Sequence, residues 1–254
     1  MSVATDTGVK ARVHPSPNHS ERAGDGRVDM LILHYTGMPD AESALRRLCD
    51  PRAEVSAHYL VHEDGGIVQC VPEARRAWHA GKSFWKGETD INSRSIGIEI
   101  VNPGHDSGYP DFPQVQIDAV IELARDICRR HSIPPWRVLA HSDVAPDRKA
   151  DPGEKFPWDL LARHGIGHYV DPVPASGGIF MQEGDTGQPV EAIQSLLAIY
   201  GYDVGISGVF DERTRLAVAA FQRHFRPEKV DGIVDRSTVE TLHALLASLP
   251  SLSA

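Results

Sequence analysis

The chain reads as an α/β protein, a mixed central sheet flanked by helices, with a small C-terminal three-helix domain. Three observations predict this. Short apolar runs with strand patterning are interleaved with a stretch of helical period up to about residue 170. A segment rich in Pro, Gly and Ser follows at 171–180. Beyond it the apolar residues recur at helical spacing. The expected boundaries are a polar N-terminal arm at 1–27, an α/β domain at 28–170, a linker at 171–180 and a helical domain at 181–249.

Taken in order, residues 1–27 hold several Pro and Gly and show no period, the pattern of a mobile or surface-draped arm. Residues 30–35 (MLILHY) enter Thr36-Gly37 as a buried strand does, and residues 57–61 and 67–71 flank Asp64-Gly65-Gly66 as the two sides of a hairpin. Residues 95–101 (SIGIEIV) alternate with a period of two, and 138–142 (VLAHS) form another short strand. Between them Ile117, Val120, Ile121, Ala124, Ile127 and Cys128 share one helical face. In the last domain Val190, Ile193, Leu197 and Tyr200 mark a first helix, Val218, Phe221 and Phe225 a second, and Val239, Leu242, Leu246 and Leu249 a third. A faint repeat joins them. Gly208-Val-Phe-Asp211-Glu-Arg-Thr214 is echoed by Gly232-Ile-Val-Asp235-Arg-Ser-Thr238, each a turn whose Asp is placed to cap the following helix.

Composition narrows the function classes. With 41% hydrophobic and 24% charged residues over 254 positions the chain is an ordinary folded globular protein. Its 26 Lys and Arg against 35 Asp and Glu leave a net charge of −9, which argues against nucleic acid or an anionic membrane surface as partner. Cys49, Cys70 and Cys128 are too few and too scattered for a disulfide framework or a zinc knuckle and read as buried thiols. No apolar run of leader or membrane-span length occurs in the first thirty residues, so no membrane span and a cytoplasmic location are expected, or the envelope if a leader has been removed. A monomer is expected as well.

Thirteen histidines need sorting. His14, His19, His131, His164, His168, His224 and His243 fall in the arm, on helical segments or near the linker, and are read as surface or structural. His34 and His141 instead sit at strand ends, and Asp151 follows ten residues after His141. Two neutral imidazoles and one carboxylate would leave a zinc ion a net positive charge and an open fourth position, the donor set of a hydrolytic centre. Spacing alone leaves equally open a reading in which the histidines are buried strand ends and Asp151 caps a turn. Glu99 tilts the balance, because a carboxylate inside an apolar strand is costly without a function or a partner. It is placed as proton acceptor, with Lys149 as stabiliser of an oxyanion or else a plain surface lysine.

The strings LILHYTG (31–37), SAHYLV (56–61), AWHAG (77–81), SIGIEIVN (95–102) and HSDVAPDRKADPG (141–153) resemble, in that order, the zinc-dependent N-acetylmuramoyl-L-alanine amidases of the amidase 2 type. The resemblance runs from about residue 12 to the linker and is closest to the branch that holds a lipoprotein amidase and an anhydro-muropeptide amidase. It implies zinc on His34, His141 and Asp151, and catalytic roles for Glu99 and Lys149. By the same resemblance Trp78 and His79 line the substrate groove, with Arg76 available for a muropeptide carboxylate; Trp78 and His79 serve equally well as packing residues. Trp85 and Asn92 are candidates for the groove's rim that the sequence leaves open. His58 and His62 are left structural. The C-terminal segment, with Ala219-Ala-Phe-Gln-Arg223, resembles a three-helix peptidoglycan-binding module. The implied activity is hydrolysis of the amide between N-acetylmuramic acid, in its anhydro or reducing form, and L-alanine, in cell-wall recycling, on anhydro-muropeptides or polymeric peptidoglycan. The alternative is a peptidoglycan sensor that binds without cutting.

Overall fold

The computed structural model describes residues 4–174, 178 and 180–250; residues 175–177 and 179 of the expected linker lie outside that range, as do 1–3 of the arm. The first domain contains β1 (Arg12–Val13), β2 (His19–Glu21), β3 (Met30–Tyr35), α1 (Ala41–Cys49), β4 (Tyr59–Val61), β5 (Ile67–Gln69), β6 (Arg75–Ala77), α2 (Ile91–Arg94), β7 (Ser95–Ile100), α3 (Gln114–His131), β8 (Val138–Ala140), α4 (His141–Val144) and α5 (Trp158–Arg163). The second contains α6 (Gln188–Tyr200), α7 (Glu212–Phe225) and α8 (Arg236–Ser248). The main sheet runs β1-β5-β4-β7-β3-β8, and β2 and β6 form a separate antiparallel ribbon. All pairings of the main sheet are parallel except the β4–β5 hairpin.

The two faces of the sheet bury different things, and the alternation along β3 shows how. Leu31 and Leu33 pack, with Ile96, Ile98 and Ile100 of β7, against Val120, Ile121, Ala124 and Ile127 of α3. Met30 and Ile32 point the other way, into a core completed by Leu197, Tyr200, Tyr202 and Phe221 of the C-terminal domain. The sheet is thus covered on both faces, as a largely parallel sheet requires, and the second cover is supplied by the last domain. His34 continues the Met30–Ile32 face beyond the reach of that cover.

Two expectations need correction here. The arm is a strap: its backbone pairs with β5 and β6, Ser16 and Asn18 are buried, and Thr7 donates to Asp126 across 2.8 Å. Strands of two or three residues are too short to show a period, and polar side chains that satisfy buried backbone groups look like loop in a hydropathy reading. Arg22 shows the same design, its Nη1 donating to the carbonyls of Asn92, Ser93 and Ser95 within 3.1 Å. The strand expected at 138–142 stops at Ala140, and His141 opens α4. Among the thiols Cys70 is buried, while Cys49 and Cys128 are partly exposed.

In the C-terminal domain Asp211 and Asp235 cap α7 and α8 by accepting from the N–H groups of Thr214 and Thr238 at 2.9 and 2.8 Å. The repeat goes deeper than its turns. Gln194 Oε1 accepts from the N–H groups of Ser207 and Gly208, and Gln222 Oε1 from those of Asp231 and Gly232. Each Gln amide also donates to a carbonyl in the same turn, of Val209 and Ile233 respectively. Each turn is clamped by a wholly buried glutamine from the preceding helix. Gln222→Ala leaves two backbone donors without partners and is expected to cost about 1–3 kcal/mol of stability, read as a lower denaturant midpoint; an unchanged midpoint would show that the clamp contributes nothing.

Candidate metal centre and groove

The parallel register of β3 with β7 sets His34 directly beside Glu99. Strands 4.8 Å apart with matched pleat put such a pair on the same face. On that face β7 offers Ser95, Gly97 and Glu99 in succession, two small residues before an acid. The gap they leave is filled by His79: a Cβ on Gly97 would lie 2.5 Å from its ring. His79 Nε2 is 3.2 Å from Ser95 Oγ and its Nδ1 is 3.0 Å from His34 Nε2. Asn92 fixes the His79 backbone, its Oδ1 accepting from the N–H groups of His79 and Ala80 at 3.1 and 2.8 Å.

His141 and Asp151 approach from the adjoining edge of the sheet. His34 Nδ1, His141 Nδ1 and Asp151 Oδ2 form a triangle with sides of 2.9, 3.1 and 3.0 Å. All three residues are buried, and among the described residues they form one cluster of metal-ligand type. The Ser142 N–H donates to the Asp151 carbonyl across 3.0 Å, which holds the loop of Asp151 against α4. The remaining ring nitrogens are also engaged, His34 Nε2 with His79 and His141 Nε2 at 3.3 Å from the Ala80 carbonyl. Outer partners of this kind fix the orientation of metal-ligating imidazoles. Two nitrogens and one carboxylate oxygen with occupied outer positions suit zinc and leave a side of the triangle open to the groove.

Burial, aided by the neighbouring His141, lowers the His34 pKa to about 4, so the imidazole is neutral at physiological pH. Burial by itself would raise the Asp151 carboxyl, but His141 and His34 hold it well below the usual carboxylate range. Glu99 goes the other way: burial first, then the Asp151 charge, push its pKa well up, while Lys149 opposes the rise. Its Oε2 is shielded and has no hydrogen-bond partner among the described residues.

A groove of about 430 Å³ opens over these groups and is lined by Glu99, Lys149, Trp78 and His79 together with His141 and Asp151. A larger cleft of about 730 Å³ between the two domains contains none of the converging histidines. Arg76 is not brought to the groove; its guanidinium is tied to Asp90 at 2.8 Å, because β6 turns it toward α2. Trp85 and Asn92 are not on the rim either. Trp85 is buried against Tyr200 and Tyr202, and Asn92 lies beneath His79. Sequence reasoning missed Tyr35, Arg47, His105 and Arg148, all groove residues, since surface arginines and loop histidines carry no pattern. It also missed the partner of His224, whose Nδ1 is 2.6 Å from Asp143 Oδ2, an acid 81 positions away.

A buried set of two imidazoles and one carboxylate, open to a groove and flanked by an unpartnered carboxylate and a lysine, on an α/β sheet, has the donor types that a hydrolytic metal centre uses. The family described as N-acetylmuramoyl-L-alanine amidase matches residues 24–154, and the one described as "Putative peptidoglycan binding domain" matches residues 186–242. The chain belongs to the N-acetylmuramoyl-L-alanine amidase family, joined to a C-terminal domain of the second kind. It is similar to the N-acetylmuramoyl-L-alanine amidase AmiD of Escherichia coli K12, with 40% identity over 232 residues, 87% of this chain and 83% of the relative. A structure of AmiD in complex with anhydro-N-acetylmuramic acid-L-Ala-D-γ-Glu-L-Lys superposes with a TM-score of 0.76 at 38% identity, covering 91% of this chain and 93% of that one. The 1,6-anhydro-N-acetylmuramyl-L-alanine amidase AmpD of the same organism is 37% identical over 172 residues, 59% of this chain and 89% of the relative.

The buried histidines fix how stability depends on acidity. Burial lowers His34 to about 4, His58 to about 3 and His79 well below its ordinary value. In the unfolded chain each takes a proton near pH 6.5. Between those limits the unfolded state binds more protons at these three histidines, so they make stability fall as pH is lowered, by up to about 1.4 kcal/mol per unit each, while the raised Glu99 carboxyl opposes them as a single group. The metal-free protein should melt at progressively lower temperature from pH 7 to pH 5; a flat or rising melting temperature would contradict the assignment.

Proposed function

We propose that the protein is a zinc-dependent amidase that cleaves the bond between N-acetylmuramic acid, in its anhydro form by preference, and the L-alanine of the stem peptide. The observation that carries this reading is the His34–His141–Asp151 triangle beside a shielded, unpartnered Glu99. His34, His141 and Asp151 would hold the metal. When bound, zinc polarises a carbonyl and makes water acidic enough to react near neutral pH. With its Nδ1 turned to the triangle, His34 would donate through Nε2 to His79, 3.0 Å away, which would keep the ring in place.

Glu99 takes a proton from the attacking water and delivers it to the departing alanine nitrogen. Burial and the Asp151 charge raise its pKa, which moves the carboxyl away from its ordinary acidic range in the direction an acid–base role needs. Lys149, on the same groove wall, balances the negative charge that develops on the carbonyl oxygen. Trp78 contributes a flat apolar surface to the groove. The relatives support the substrate class, and the C-terminal family match supports contact with peptidoglycan or its fragments through the second domain. Among the described residues no helix is long and apolar enough to cross a membrane. Action on soluble muropeptides in the cytoplasm, by a monomer, is part of the proposal; recovery of the native protein in the envelope fraction would remove that part.

Release of free stem peptide from an anhydro-muropeptide is the decisive assay, and retention of intact muropeptide without product would favour a sensor. Glu99→Gln is expected to lower kcat by about 10²–10⁴ with zinc content unchanged; turnover near that of the wild type would make Glu99 structural. His34→Ala and His141→Ala should each abolish both zinc binding and activity, because a three-ligand site tolerates little loss. Full activity of a metal-free preparation would sink the mechanism.

A further inference from the structure

The element that presents His141 is weak when considered alone. Four residues make little more than one turn, and a helix that short has almost no stability of its own. Its N-cap is Ala140, which has no side-chain acceptor, and His141 is its first residue. Order at His141 therefore comes from elsewhere, through Asp143, whose Oδ2 accepts from the Ala140 N–H at 2.8 Å and closes the start of the helix.

Asp143 is wholly buried, and two residues of the C-terminal domain hold it there. Tyr202 donates its hydroxyl to Oδ1 across 2.7 Å, and His224 Nδ1 lies 2.6 Å from Oδ2. The His224 ring is stacked on Trp158 and on Phe225, with centroids 3.7 and 3.8 Å away, which restricts its rotation. The preceding residue on α7, Arg223, approaches Glu154, three positions after Asp151, to 4.0 Å. One turn of α7 thus reaches Asp143, which closes the helix of His141, and passes within 4.0 Å of Glu154 in the loop that follows Asp151.

We propose that Tyr202 and His224 are positioning residues for the metal centre, and that the C-terminal domain is part of the scaffold that sets His141. Without them a buried carboxylate would keep a single backbone donor, which is costly enough to make it turn away or draw in water. Either response releases Ala140 and the first turn of α4. A ligand displaced by a fraction of an ångström loses metal affinity and rate. Because Asp143 acts on His141 through the backbone and not on its ring, the expected effect is about tenfold, the low end for partners one step beyond the ligands.

The inference rests on the proposed metal site, and the test separates the two. In the full-length protein, zinc affinity is measured by competition with a chromophoric chelator, alongside kcat, KM and melting temperature. Tyr202→Phe and His224→Phe are expected to weaken zinc binding about tenfold and to lower kcat with KM unchanged. His224→Asn, whose amide N–H replaces the Nδ1 donor, should recover most of that loss. Zinc affinity and kcat equal to those of the wild type in both Phe variants, with only the melting temperature reduced, would overturn the proposal and leave the contacts as simple docking. If His224→Phe does not fold, Tyr202→Phe, which removes one hydroxyl, decides alone. Absence of zinc binding by the wild-type protein would overturn the metal-centre reading itself, and this inference with it.

Discussion

The register of β3 on β7 is the constraint on which the site depends. A slip of one residue would turn His34 and Glu99 to opposite faces, destroying the chemistry and the core together. The register is held by packing: Leu31, Leu33, Ile96, Ile98 and Ile100 are all buried against α3 on one face, and no pairing shifted by one residue keeps them there. The apolar positions of the two strands thus do for catalysis what they do for folding. They lock the polar positions on the reverse face into alignment.

That reverse face is graded along its length. Near the start of β3 it is apolar and covered by the C-terminal domain, at its middle it is occupied by His79 over Gly97, and at its end it opens into the groove. The histidine cluster therefore lies at the boundary between a dry core and solvent. Such a boundary accounts for the opposite pKa shifts of neighbouring groups. Imidazoles sealed from water stay neutral and ready to ligate, whereas a shielded carboxylate becomes easier to protonate.

Much of this was legible in the sequence, where the signal was local and periodic. The strand of residues 30–35, the hairpin around Asp64-Gly65-Gly66, the long helix of the first domain and the three helices of the second all carry their period in the chain. Glu99 stood out because it breaks an apolar run, and His34 and His141 because they lie where such runs end. What stayed hidden depends on contacts distant in sequence. Arg76 looks like a groove residue until Asp90 is seen to hold it, and Trp85 looks like rim until Tyr200 and Tyr202 cover it. His224 reads as an ordinary helical histidine because Asp143 lies 81 positions earlier. The N-terminal strap illustrates a further limit, since its polar residues bury themselves by satisfying backbone groups, a role hydropathy does not record.

The shared core between the sheet and the last three helices has a consequence for how the chain is made. Met30, Ile32, Trp85, Leu139 and Val144 are wholly or almost wholly covered, and part of what covers them lies after residue 180. At about 5–20 residues per second of synthesis, several seconds separate the emergence of the sheet from that of its lid. Through that interval the nascent sheet can close over α3 on one side only, with an apolar stripe exposed on the other. Substitutions in α6 or α7 would then be felt during synthesis as well as in the stability of the finished fold.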